Sequence, residues 1–263
     1  MKKFIHSADN PQFKQLKKLA TSSRERRKLG RCILDGMHLI RAYSEHNQPN
    51  EAIIIIVRQD KETHNEINAC INLFQNAECI LLSNELFDVL SPVETPTGIL
   101  AIIDRPIPQK NTRKQASIAL DNIQDPGNLG TILRTAAAAE ISNVYLSKGC
   151  VDAWSPKVLR AAMGAHFVIN IHEHYVLTQL QQQFQQIIAT QLDAKTSIFN
   201  LDFKDNCVFL FGNEGAGLSP ELSACATHHV NIPMSDNIES LNVAAAVAVC
   251  LFERYRKTNP NQA

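Results

Sequence analysis

Two hydrophobic rhythms alternate along the first hundred residues. Over 11–28, Phe13, Leu16, Leu19 and Ala20 recur at helical spacing among basic side chains, which predicts one helix. Residues 32–34, 51–58 (with four consecutive isoleucines), 78–82 and 98–104 read as strands. Between them, 37–43, 65–75 and 84–90 carry helical patterns. This alternation predicts a small α/β domain over 1–105. Residues 105–116 hold two prolines, four basic groups and no apolar run, so 106–116 reads as a linker.

The rhythm continues beyond it. Residues 117–121, 143–147, 167–171, 207–211 and 229–232 read as strands. A Pro126-Gly127 turn leads into a helix to about 140, and Ser155-Pro156 and Ser219-Pro220 open two more. The glutamine-rich stretch 175–188 reads as a solvated helix, and 240–256 as a long one. Strand–helix repetition of this kind predicts an α/β fold, a parallel sheet covered by helices on both faces.

Composition excludes little. The chain has 263 residues, 44% hydrophobic and 20% charged, as in an ordinary globular protein. The longest apolar run, 243–252, is about half of the roughly 20 residues a membrane helix needs. The amino terminus is charged and lacks a secretory leader's apolar core. Seven scattered cysteines form no C-x-x-C pair, which predicts neither a zinc site nor a disulfide framework and fits a reducing cytoplasm. No metal is expected, since His172 and His174 have no third ligand in view. Trp154 is expected to anchor a loop rather than stack on a base.

Charge is balanced overall but not locally. Residues 1–31 carry ten basic groups against Asp9 and Glu25, whereas 32–109 hold eleven acids and four bases. The basic segment suits a polyanion such as RNA, or a solvated helix face.

In open parallel sheets, ligands bind beyond the carboxyl ends of strands. Three loops there carry polar residues that the fold does not require: DNIQDPGNLGTILRTA after 117–121, GNEGAGLSPEL after 207–211, and PMSDNIESLNVAAAVA after 230–232. None is a phosphate-binding fingerprint: no G-x-x-x-x-G-K-[ST] occurs, and GNEGAG has its glycines in the wrong order for a dinucleotide site.

Together the three loops resemble the signature motifs of the SpoU-type, or TrmH-like, RNA 2′-O-methyltransferases of the SPOUT superfamily. The residues that match are Asn128 and Arg134, then Gly212 to Gly217 with Glu214, then Ile232, Pro233, Met234, Ser240, Leu241 and Asn242. More weakly, RCILDGMHLI and LSPVETPTGILAIID resemble the RNA substrate-binding domain that precedes the catalytic domain in this family, with Asp35 where glutamate is common. The resemblance implies a SPOUT-type parallel sheet closed by a C-terminal trefoil knot, preceded by a ribosomal-protein-like α/β domain. It implies a catalytic domain over 117–257, S-adenosyl-L-methionine as cofactor, and a homodimer formed through that domain. The long terminal helix would form its seam. The substrate would be RNA, with rRNA favoured over tRNA.

By the same resemblance, Gly212, Gly217, Ile232, Met234 and Leu241 would bind the cofactor. Arg134, Asn128, Glu214, Ser240 and Asn242 would carry the chemistry. Guanidinium groups stay protonated in proteins, so Arg134 reads better as a clamp on a phosphate and a stabiliser of alkoxide charge than as a base. Asn128 and Asn242 would orient Arg134 or the ribose. Glu214 would fix the loop or the arginine, and Ser240 could cap the last helix. Rival readings are a tRNA 2′-O-methyltransferase, a non-catalytic RNA-binding ribosome-assembly factor, and a dehydrogenase that the missing fingerprint disfavours.

Overall fold

The structure, a computed structural model, describes residues 3–46, 52–91, 93–109, 116–235 and 237–259. Glu51 and most of the expected linker lie outside the described residues. The chain divides into two compact units, Met1–Pro106 with Trp154–Phe167, and Ile107–Ala153 with Val168–Ala263.

In the first unit, β1 (Lys3–Ile5), α1 (Pro11–Thr21) and α2 (Ser23–Leu29) precede β2 (Arg31–Asp35) and α3 (Met37–His46). Then come β3 (Ile54–Arg58), α4 (Asn65–Ile71), β4 (Glu78–Leu82), α5 (Asn84–Leu90) and β5 (Ile99–Asp104). The sheet order is β1-β4-β3-β5-β2, parallel from β1 to β3 and antiparallel through β5 to β2. Phe13, Leu16 and Leu19 of α1 pack with Leu86, Phe87 and Leu90 of α5 on one face of it.

The single helix expected over 11–28 is two. Ser22 is extended, its backbone ends α1, and its Oγ accepts the Glu25 N–H, so it caps α2. Buried Arg26 turns back and donates to the Leu19 and Ala20 carbonyls at 2.8 and 2.9 Å, among the last carbonyls of α1 that the helix itself leaves open. The remaining cations of this segment, Lys14, Lys17, Lys18, Arg24, Arg27 and Lys28, are exposed. The helix expected over 65–75 ends at Ile71.

The second unit holds β6 (Ser117–Leu120), α6 (Pro126–Ala138) and β7 (Asn143–Leu146). In chain order the next helix, α7 (Pro156–Ala162), belongs to the first unit. The second unit resumes with β8 (Asn170–His172), β9 (Gln186–Thr190), β10 (Thr196–Ser197), β11 (Cys207–Phe211), α8 (Pro220–Ala224), β12 (His228–Asn231) and α9 (Val243–Thr258). All seven strands run parallel in the order β10-β12-β9-β11-β6-β7-β8.

Three expectations are corrected here. The stretch 175–188 is not one helix but a 3-10 segment, Leu177–Gln182, followed by β9 in mid-sheet. Ile187, Ile188 and Ala189 are buried, and Gln186, also buried, satisfies both ends of its amide on the Asp202 carbonyl and the Lys204 N–H. Glutamine's helix propensity is a weak prior that this burial overrides. Residues 165–167 form a 3-10 turn, so the strand expected over 167–171 starts later, at Asn170. Pro126-Gly127 is the first turn of α6 rather than a turn before it, because Asp125 caps the helix and proline suits its first position.

Trp154 is buried in the first unit, edge-on to His166 with the Arg105 guanidinium 5.1 Å from its ring centre. In the same unit Arg160 of α7 donates to the buried carboxylate of Asp35 at 2.8 Å. His172 stacks on Tyr145 at 4.7 Å, and burial lowers its pKa. None of the described helices is long and apolar enough to cross a membrane.

Candidate active site

The three polar loops follow β6, β11 and β12 and are joined beyond the carboxyl ends of these strands by side-chain hydrogen bonds. The loop after β11 folds back on itself. Asn213 and Gly217 exchange backbone hydrogen bonds, both 2.9 Å. A methyl group on Gly212 would fall on the Gly217 carbonyl and the Leu218 nitrogen, and Gly217 has φ +69°. Only glycine fits the first position, and glycine is favoured at the second.

This loop, the end of β9 and the start of α9 enclose a cavity of about 460 Å³. Gly212, Gly217, Ile232, Met234 and Leu241 all lie on its wall, as do Glu214, Ser240 and Asn242. Its only charged lining residues among the described ones are Glu214 and Glu239. A small-molecule ligand of ordinary size fits that volume. Apolar walls, close-approach glycines and two carboxylates suit a flat heterocycle carrying positive charge. Among the described residues, the same wall offers no lysine or arginine for a phosphate.

A polarised chain of side chains borders the cavity. Asn242 caps α9, its Oδ1 accepting the Ala244 and Ala245 N–H groups. Its Nδ2 donates to Asn128 Oδ1 at 3.0 Å, and Asn128 Nδ2 donates to Glu214 Oε1 at 3.0 Å. Asn128 is itself placed by the Asp125 cap, which accepts its N–H at 2.7 Å. Residues 86 and 114 positions apart in the chain therefore share one chain of bonds.

Two expected residues behave differently. Ser240 does not cap α9. Asn242 does, because its amide reaches two N–H groups of the first turn, and Ser240 stays exposed on the cavity wall. Arg134 is not brought to the cavity. It is exposed on α6, on the stripe that also exposes Gly127, Thr131 and Ala138.

One residue was missed. Asn213 accepts the Gly215 and Ala216 N–H groups on Oδ1 at 2.9 and 3.0 Å. Its Nδ2 donates to the Asn122 carbonyl at 2.9 Å and to Glu214 Oε2 at 3.4 Å. The signal was an asparagine directly after a glycine in a glycine-rich loop, a residue whose short amide bonds nearby backbone.

Residues 115–252 match the SpoU rRNA Methylase family, and residues 10–101 match the MRM3-like substrate binding domain. The chain is 34% identical over 260 residues to an uncharacterized tRNA/rRNA methyltransferase of Synechocystis, covering 96% of this chain and 93% of that one. It is 30% identical over 253 residues to the 23S rRNA (guanosine(2553)-2′-O)-methyltransferase RlmP of Bacillus subtilis, covering 95% and 98%. Among solved structures, the AdoMet-bound rRNA methyltransferase from Sinorhizobium meliloti is similar with a TM-score of 0.82 at 25% identity, over 98% of each chain.

Proposed function

The chain belongs to the SpoU rRNA methylase family, and we propose on that footing that it methylates the 2′-hydroxyl of a ribose in structured RNA, with large-subunit rRNA as its substrate. The observation that carries the reading is the convergence of Asn128, Glu214 and Asn242, from three distant loops, into one hydrogen-bonded chain beside a glycine-lined cavity.

S-adenosyl-L-methionine supplies an electrophilic methyl group on a sulfonium. Gly212, Gly217, Ile232, Met234 and Leu241 would hold it, and the two wall carboxylates, Glu214 and Glu239, favour its positive charge. The protein's own contribution is placement. Holding two reactants in line can supply roughly 7–11 kcal/mol of a barrier. Asn128 orients the acceptor, because its amide is locked between Glu214 and Asn242. Arg134 clamps a neighbouring phosphate and offsets charge on the ribose oxygen as its proton passes to water.

The domain roles are part of the same reading. Residues 1–105 with their basic segment grip the RNA, 106–116 link, and 117–257 form the catalytic domain. That domain pairs through α9 into a homodimer and carries the trefoil knot. Phe252 and Ala245 of α9 are exposed, as a seam requires. A cytoplasmic location fits the seven free thiols.

The test is methyl transfer from labelled S-adenosyl-L-methionine to size-fractionated RNA from a strain lacking the gene. The expected result is label in large-subunit rRNA that survives alkali as a dinucleotide. Label confined to tRNA would overturn the substrate. Absence of both label and cofactor binding would overturn the enzyme.

A further inference from the structure

The Asn213 side chain uses both of its ends. Its oxygen accepts two backbone N–H groups of its own loop and so closes 212–217. Its nitrogen does something that loop closure does not need. It donates to the carbonyl of Asn122, 91 residues earlier, and to Glu214. Asn122 sits at φ 59°, a left-handed conformation that asparagine adopts more readily than most non-glycine residues. The Ser147 hydroxyl accepts its N–H at 2.9 Å, and Asn213 takes its carbonyl. Three residues on, Asp125 caps α6 and places Asn128. The cavity loop and the asparagine on the acceptor side are thus tied twice, through Glu214 and through Asn122.

We propose that Asn213 is a positioning residue that makes closure of the cofactor loop and placement of Asn128 one event. This deepens the methyltransferase reading and rests on it. An amide suits the position because it carries its acceptor and its donor on two separate atoms of one short side chain, and both are in use. Aspartate keeps the acceptor, loses the donor, and sets a second carboxylate against Glu214.

The experiment compares full-length wild type with Asn213→Asp and Asn213→Ala. Three quantities are read: cofactor affinity by calorimetry, kcat and KM for rRNA, and amide hydrogen exchange over 121–128 with and without S-adenosyl-L-methionine. Asn213→Asp should keep near wild-type cofactor affinity, lose roughly tenfold or more in kcat, and lose the cofactor's slowing of exchange at 121–128. Asn213→Ala should lose cofactor affinity as well. Wild-type kcat, or retained protection of 121–128, in Asn213→Asp overturns the proposal. So does a loss of affinity and melting temperature equal to that of the alanine variant, which would make Asn213 a loop-closing residue only. If the aspartate variant does not fold, Asn213→Ser decides the same question, because its single Oγ stops one bond short of the amide's two ends. Should wild type bind cofactor yet methylate none of the RNA offered, the substrate is wrong, while the exchange measurement still decides Asn213.

Discussion

Asn242 donates to Asn128 across 3.0 Å while its own oxygen caps the last helix, so one amide serves helix and site at once. The two duties separate by substitution. Asn242→Asp keeps the cap and loses the donor. It should melt near wild type and lose at least about tenfold in methyl transfer. Asn242→Ala loses both and should cost about 1 kcal/mol of stability besides. Thermal melts beside initial rates check the pair. Equal melting temperatures for the two variants would remove the cap from the account.

Gly212→Ala should abolish cofactor binding. Its new methyl would meet backbone rather than a side chain that could swing away. Calorimetry reads the loss directly, and an unchanged affinity would mean the loop is not the cofactor's seat.

Arg134→Ala tests a residue outside the cavity. The side chain is exposed, so the melting temperature should stay within about 2 °C, as for most surface substitutions. Cofactor affinity should also hold, whereas methylation should fall to background. Normal turnover would strip Arg134 of its role.

Burial pushes the Asp35 carboxyl above its ordinary 3.8, against the opposing bond and charge of Arg160. Its Oδ1 is buried without a hydrogen-bond partner among the described residues. A carboxyl raised in the folded state stabilises the fold below its unfolded pKa, and that contribution disappears as pH rises through the folded pKa. Asn does not titrate. The stability of wild type relative to Asp35→Asn should therefore decline as pH climbs from below 3.8 through the raised value. Melts across that series check the sign. A gap growing in wild type's favour would mean that the Arg160 pairing outweighs burial.

What could be read beforehand depended on how local the signal was. β11, five buried apolar residues in a row, and the isoleucine run of β3 need no tertiary context. β9 does, since its identity as a strand rests on β11 and β12 flanking it, and its leading glutamines argue for helix. β1 and β10, three and two residues long, carry almost no periodicity. The break at Ser22 was visible as a capping box, with Glu25 three residues on, but the apolar spacing ran through it. In the site, Asn128, Glu214 and Asn242 were legible through the resemblance of their three loops to the family's motifs. Asn213 was not, since its partners are mostly backbone groups whose positions only the fold supplies.

The helix that bears Arg160 reaches its unit 125 residues after Asp35. During synthesis, β1 to β5 have all left the ribosome well before that counter-ion exists. A nascent first unit must keep its Asp35 carboxyl hydrated or protonated until α7 arrives. A fragment cut at Pro106 would stay in that unfinished condition for good.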